Sequence, residues 1–196
     1  MAKPRIAVIV GSNRRESINR KYAHAFAKLG ADKFDATFVK IDDLPMFNQD
    51  LEANLPAEVV RFKDEIGRAD GVLLVTPEHN RSIPTVLKNA VDWGARPFGK
   101  NSWAGKPGFI TGTSPGAIGT ALAQVHLRTV LTGLGMILLG GEAYITFKPN
   151  LFDDNGNVGD ETTQKFLQGF VDRFANLVER LAPAERRRQR RVAAAP

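Results

Sequence analysis

Along this chain a short apolar run is followed by a stretch of helical periodicity, and the pattern repeats five times. Arg5–Val10 is an apolar run that stops at Gly11-Ser12, as a buried strand bounded by turn residues does. Ile18, Tyr22, Phe26 and Leu29 then recur at helical spacing, and Gly30 closes the stretch. Ala36–Ile41 is β-branched and aromatic and reads as a second strand. After a loop through Pro45, Asn54 is the expected helix cap, with Pro56 in the first turn and Glu58 near the positive helix end. Leu55, Val59, Phe62 and Ile66 mark the face of that helix. Gly71–Thr76 is the third strand. Ser82 and Pro84 open a helix whose apolar face is Ile83, Val86, Leu87, Ala90 and Val91. Gly108–Thr113 is the fourth strand, and a helix is expected from about Gly116 to Leu134 on Ile118, Ala121, Leu122, Val125 and Leu131. Met136–Leu139 and Ala143–Thr146 together read as a fifth, interrupted strand. Leu167, Phe170, Val171, Phe174, Leu177, Val178 and Leu181 give the last helix.

Alternating strands and helices require a parallel sheet covered on both faces. Right-handed crossovers leave few topologies. Five strands favour a flavodoxin-like sheet, order 2-1-3-4-5, over a six-stranded Rossmann sheet. The expectation is an α/β fold of three layers. At 196 residues, one domain is the prior. Helical periodicity stops at Pro183, so a domain over residues 1–183 is expected, with 184–196 as a basic disordered tail.

Charge sharpens that division. The chain carries +6, but Glu185–Pro196 holds five arginines against one acid, so the other 184 residues carry only +2. A tail of this kind offers a strip for nucleic-acid phosphates. The body shows none of the standard nucleic-acid motifs, so no nucleic-acid partner is expected. The absence of cysteine excludes disulfides, thiolate metal sites and cysteine nucleophiles. No apolar run approaches the roughly 18 residues that a membrane span requires. Met1 to Arg5 lead straight into a strand with no signal-peptide pattern, so a cytoplasmic location is expected.

In an open α/β sheet, ligands bind beyond the carboxyl ends of the strands where the strand order reverses. Three loops fall there: Gly11–Asn19, Pro77–Ile83 and Gly112–Gly119. The first is rich in hydroxyl, amide and guanidinium donors and opens a helix, a natural phosphate site. It has neither the Gly-Lys-Ser/Thr of a P-loop nor Gly-x-Gly-x-x-Gly, so one terminal phosphate fits better than a pyrophosphate. The second loop is stiffened by Pro77 and Pro84 and suits a flat ring held against backbone amides.

Gly11-Ser12-x-Arg14-x-x-Ser17-x-Asn19, Pro77-Glu78-x-Asn80-x-Ser82-x-Pro84 and Leu87-Lys88-Asn89-Ala90-x-Asp92-Trp93 resemble the NADPH-dependent FMN reductases. Among these they are most similar to the bacterial quinone and chromate reductase branch. Gly116-x-x-Gly119, Ala123-Gln124 and Leu127-Arg128 match as well. The resemblance runs over roughly residues 5–181. It implies a flavodoxin-like fold, bound FMN, and two-electron transfer from NADPH or NADH. The expected acceptors are quinones or similar compounds (azo dyes, chromate, free flavin), and ping-pong hydride transfer is expected because donor and acceptor would share one flavin face. It implies that Ser12, Arg14, Ser17 and Asn19 hold the FMN phosphate. Pro77, Glu78, His79 and Asn80 would run beside the ribityl chain and ring, with Ser114 and Gly116 approaching from the other side. The family usually carries Tyr at the position of His79; His keeps an aromatic plane and lacks the phenol. The resemblance also implies a homodimer or homotetramer with the flavin near an interface. The cofactor carries the reaction, so no catalytic side chain and no metal ligand is assigned.

Three rival readings are weaker. Gly112-Thr113-Ser114-Pro115-Gly116 has the form of a hydrolase nucleophile elbow. Pro115, however, lacks the N–H that an oxyanion hole needs, and no acid lies between Ser114 and the one later histidine, His126. An electron-carrying flavodoxin is a second rival, but such carriers tend to be acidic, unlike this body. A nucleic-acid binder working through the arginine tail is the third. His24 and His126 are read as helix-surface or packing residues, Lys88, Asp92 and Trp93 as helix-face or interface residues at least as readily as cofactor contacts, and Trp103 as packing or a lid.

Overall fold

The computed structural model describes residues 3–181. The expected tail at 184–196 lies outside the described residues. The elements are β1 (Arg5–Val10), α1 (Ile18–Leu29), β2 (Asp35–Val39), α2 (Ala57–Arg68), β3 (Gly71–Val75), α3 (Thr85–Ala95), β4 (Pro107–Ser114), α4 (Ala121–Gly133), β5 (Ile137–Leu138), β6 (Tyr144–Thr146) and α5 (Glu161–Leu181). The sheet runs β2-β1-β3-β4-β5, with β6 also beside β4. All pairings are parallel. β5 pairs with Pro107 and Gly108 at the start of β4, and β6 with Gly112–Ser114 at its end. The fifth position is thus one strand broken in two, as its sequence pattern predicts.

Alternation along the strands sorts residues into two apolar layers. Ile6, Val8, Leu73, Val75 and Phe109 face α1 and α5, where Tyr22, Phe26, Phe170 and Phe174 are buried. Ala7, Ile9, Val72, Leu74 and Ile110 face α2, α3 and α4, with Phe62, Ile66, Trp93, Leu127 and Leu131. β3 is buried at every residue, as a central parallel strand covered on both faces must be. Full burial of each large side chain stabilises by about 1.5–3 kcal/mol. β2 is an edge strand and is largely exposed, which explains its ragged sequence pattern.

Three local expectations are corrected. β2 spans Asp35–Val39 rather than Ala36–Ile41, and Ile41 is buried outside the strand. The N-cap of α2 is Pro56, not Asn54, and no side chain caps that end. α4 starts at Ala121 rather than near Gly116, because Gly119 (φ +51°) and Thr120 (φ +67°) are consecutive left-handed residues. That conformation cannot belong to a right-handed helix. The buried face of α4 is Ala123, Gln124, Leu127 and Leu131, while Ile118, Leu122 and Val125 are exposed.

Candidate functional site

Because β1, β3 and β4 are parallel neighbours, the loops that follow them emerge together at one end of the sheet. Their bases are joined by backbone hydrogen bonds. Gly11 N–H donates to Val75 O (2.9 Å), and Thr76 N–H to Thr111 O (2.8 Å). Gly112 permits this approach: a Cβ there would lie 2.0 Å from the Thr76 carbonyl oxygen.

The first loop ends at Ser17, the buried N-cap of α1, whose Oγ accepts from Arg20 N–H (3.3 Å). Ser12 is half-buried, and its Oγ accepts from Arg14 N–H (3.4 Å). The Arg14 and Arg15 side chains are exposed, and the first turn of α1 holds no acid. The positive end of α1 is therefore not neutralised from within its own first turn, as an anion site requires. Asn19 is placed differently. It is buried, its Nδ2 donates to Thr113 O (2.9 Å), and its Oδ1 accepts from Thr113 N–H (2.9 Å). Both ends of its amide thus tie α1 to the end of β4.

In the second loop, His79 and Ser82 exchange two backbone hydrogen bonds (3.1 and 2.9 Å). Asn80 (φ +49°) and Arg81 (φ +64°) between them are both left-handed, the pattern of a type I′ hairpin turn. Asn accepts this conformation readily, but for Arg81 it costs about 1–2 kcal/mol. Thr76 Oγ1 donates to Pro77 O (2.7 Å), fixing the start of the loop. Glu78 turns across the site: its Oε2 accepts from Leu122 N–H (3.0 Å) and Ala123 N–H (3.2 Å) at the start of α4. His79 and Asn80 are exposed at the hairpin.

In the third loop, Ser114 Oγ donates to Gly116 O (3.3 Å). Gly116 is exposed, and only Ser114 Oγ, at 3.5 Å, would meet a Cβ there. The backbone is therefore open to close approach. Ser114 has no histidine partner of the hydrolase kind, since His126 Nδ1 bonds Ser82 Oγ (3.1 Å).

The third motif is scaffold. Asn89 Nδ2 (2.9 Å) and Trp93 Nε1 (2.7 Å) both donate to Pro45 O, and Asn89 Oδ1 accepts from Phe47 N–H (2.8 Å). Together they bind the segment after β2 to α3. Lys88 and Asp92 pair at 2.7 Å along the same helix. Trp103 packs rather than forming a lid: it is fully buried, and its Nε1 donates to Val91 O (2.9 Å). A Cβ on Gly94 would lie 2.4 Å from its ring. A cleft of about 510 Å³ between Tyr144–Leu151 and the start of α5 is lined by none of the ten expected residues.

Three loops with a helix start that has no acid in its first turn, serine hydroxyls, exposed guanidinium groups and an open glycine are a donor set that fits a phosphate joined to a flat ring. Residues 4–149 match the family of NADPH-dependent FMN reductases. The chain belongs to this family. A 2-hydroxy-1,4-benzoquinone reductase of Burkholderia sp. is 51% identical over 172 residues, 87% of this chain and 94% of that one. The structure of FerB, a flavoenzyme NAD(P)H:(acceptor) oxidoreductase from Paracoccus denitrificans, superposes with a TM-score of 0.88 at 45% identity. It covers 92% of this chain and 100% of its own. An archaeal flavodoxin, 13% identical at a TM-score of 0.60 over 89% of this chain and 99% of its own, shares the fold. This FMN reductase family member is thus a flavodoxin-like oxidoreductase using FMN and NAD(P)H. No described helix is long and apolar enough to cross a membrane.

Proposed function

We propose that the enzyme passes two electrons from NADPH or NADH to quinones, and to similar acceptors such as azo dyes, chromate or free flavin, in a ping-pong cycle. The observation that carries the quinone assignment is the 51% identity to a 2-hydroxy-1,4-benzoquinone reductase along 94% of that relative. Bound FMN would supply the hydride chemistry. Ser12, Arg14, Ser17 and the first N–H groups of α1 would hold its phosphate. Asn19 supports this set through β4. The Pro77–Asn80 backbone, stiffened by Pro77 and the hairpin, would lie along the ribityl chain and ring. From the Ser114–Gly116 side, preorganised backbone donors would favour negative charge on the bound group. No side-chain acid or base is assigned.

Leu122 and Val125 are exposed apolar residues on α4, and Ile118 is exposed in the third loop before it, which supports a homodimer or homotetramer built on α4. The need for NAD(P)H supports a cytoplasmic location. The test is to release the cofactor with acid, identify it by chromatography, and screen the acceptors with both nucleotides. FMN, and parallel double-reciprocal lines against quinone, are expected. A protein that FMN cannot titrate would overturn the reading. Intersecting lines would overturn the single shared face.

A further inference from the structure

We propose that Glu78 is a positioning residue: it caps α4 from the opposite side of the crevice and so fixes the distance between the second and third loops. The proposal rests on the flavin reading above and concerns a side chain that this reading leaves unexplained.

α4 cannot cap itself. Its N-cap, Thr120, is left-handed and makes no side-chain cap bond, and the first turn contains no acid. Thr120 Oγ1 instead accepts from Gln124 Nε2 (3.0 Å). The first N–H groups of a helix have no partner within it, so those of Leu122 and Ala123 depend on an outside acceptor. Glu78 provides one with a single oxygen, 44 and 45 residues away in sequence. Its side chain is only 10% exposed. Its other oxygen lies 3.9 Å from the Arg81 guanidinium, which is 69% exposed. A pair so open to water contributes little, so the hold lies in the two backbone bonds.

The position of the bridge matters more than its strength. At the base of the crevice, the Thr76–Thr111 backbone bond and the Gly112 contact already fix β3 against β4. Further out, the hairpin loop is joined to α4 by the exposed Ser82 Oγ–His126 Nδ1 bond (3.1 Å), one turn into the helix, and by the Glu78 carboxylate, which takes up the helix's own first N–H groups. A flat ring between these loops would sit in a slot whose width this carboxylate helps to set at the helix start. Glu78 also offsets the positive end of α4, whereas the first turn of α1 has no acid. Of these two helix starts, that of α1 is the one left to attract a phosphate.

The experiment uses full-length apoprotein, with flavin affinity read by fluorescence quenching and the Leu122 and Ala123 amides read by hydrogen exchange. Glu78→Gln keeps an oxygen that can accept both N–H groups, and should bind FMN and riboflavin within about threefold of wild type. Glu78→Ala removes the acceptor, and Glu78→Asp is one methylene short. Bonds to a charged acceptor are worth roughly 1.5–3 kcal/mol, or about ten- to a hundredfold. Both variants should lose up to that factor for FMN and riboflavin alike, since the slot rather than the phosphate contact is altered. Asp160→Ala is the control. It removes a like cap, the 2.6 Å bond from Thr163 N–H at the start of α5, and should lower stability without changing flavin affinity. Unchanged affinity in Glu78→Ala and Glu78→Asp, or an equal flavin loss in Asp160→Ala, would overturn the proposal. If wild type bound neither flavin, the functional reading would fail instead. Unchanged exchange at Leu122 and Ala123 in Glu78→Ala would remove the cap itself.

Discussion

Replacing Asn19 by alanine removes two hydrogen bonds at once and leaves two buried backbone groups behind. The Thr113 N–H and C=O are each held at 2.9 Å by opposite ends of the Asn19 amide, and Asn19 is 2% exposed. An unsatisfied buried donor or acceptor costs about 1–3 kcal/mol. Two of them, partly relieved by water entering the space left, should cost about 3 kcal/mol. For a chain of this size each kcal/mol lowers Tm by about 2–4 °C, so thermal unfolding should shift down by about 6–12 °C. Asn19→Asp has nearly the same shape but sets a carboxylate oxygen against the Thr113 carbonyl oxygen. It should do no better than alanine despite filling the site. Flavin binding should weaken equally for FMN and riboflavin, because both lose the support of β4. A Tm within about 2 °C of wild type, with FMN weakened and riboflavin unaffected, would refute the argument and return Asn19 to the phosphate.

Arg14→Ala and Ser17→Ala should show that other pattern: FMN weaker by about ten- to a hundredfold, from the loss of a bond to a charged group, and riboflavin nearly unchanged. Arg15→Ala serves as control, and equal losses for the two flavins would count against a phosphate at α1. His24 stacks on Phe38 at 4.2 Å, and burial, with a smaller contribution from Arg20, lowers its pKa below 6.5. The unfolded chain then binds the proton more readily. The stability linked to His24 is complete above pH 6.5 and is lost as pH falls through the lowered value. His24→Phe keeps the stacked ring and should narrow the Tm gap between pH 7.5 and pH 5.5; an unchanged gap would assign the acid sensitivity elsewhere.

The layers of this fold are legible in the sequence because strands buried on both faces leave continuous apolar runs and helices leave a 3.6-residue stripe. Arg5–Val10, Gly71–Val75 and the α5 face are read with little error. α4 is misread for a physical reason. Ile118, Leu122 and Val125 have helical spacing, and periodicity reports an apolar face without saying what covers it. In this chain Leu122 and Val125 are exposed, Ile118 is exposed outside the helix altogether, and the buried stripe runs through the smaller Ala123 and the polar Gln124. The left-handed pair Gly119–Thr120 that delays the helix is equally hidden, since threonine gives no sign of a positive φ.

The motifs behave similarly at the level of single residues. They locate the crevice, because the ends of three adjacent parallel strands must meet. They do not separate side chains that can face a ligand from those that hold the loops. Asn19 belongs to the same motif as Ser17, two residues earlier, yet its amide is taken up by a backbone 94 residues away. Glu78 lies between Pro77 and His79, yet its carboxylate belongs to α4. Asn89 and Trp93 share one carbonyl, that of Pro45. Polar side chains with long-range backbone partners must be matched to those partners, because a buried backbone group left unpaired costs more than a typical hydrogen bond contributes. The same residue types at the same positions would therefore be retained by a need for rigid loops as strongly as by a need to touch a flavin. Comparing FMN with riboflavin separates the two demands, because a contact to the phosphate distinguishes these ligands and a tie between loops does not.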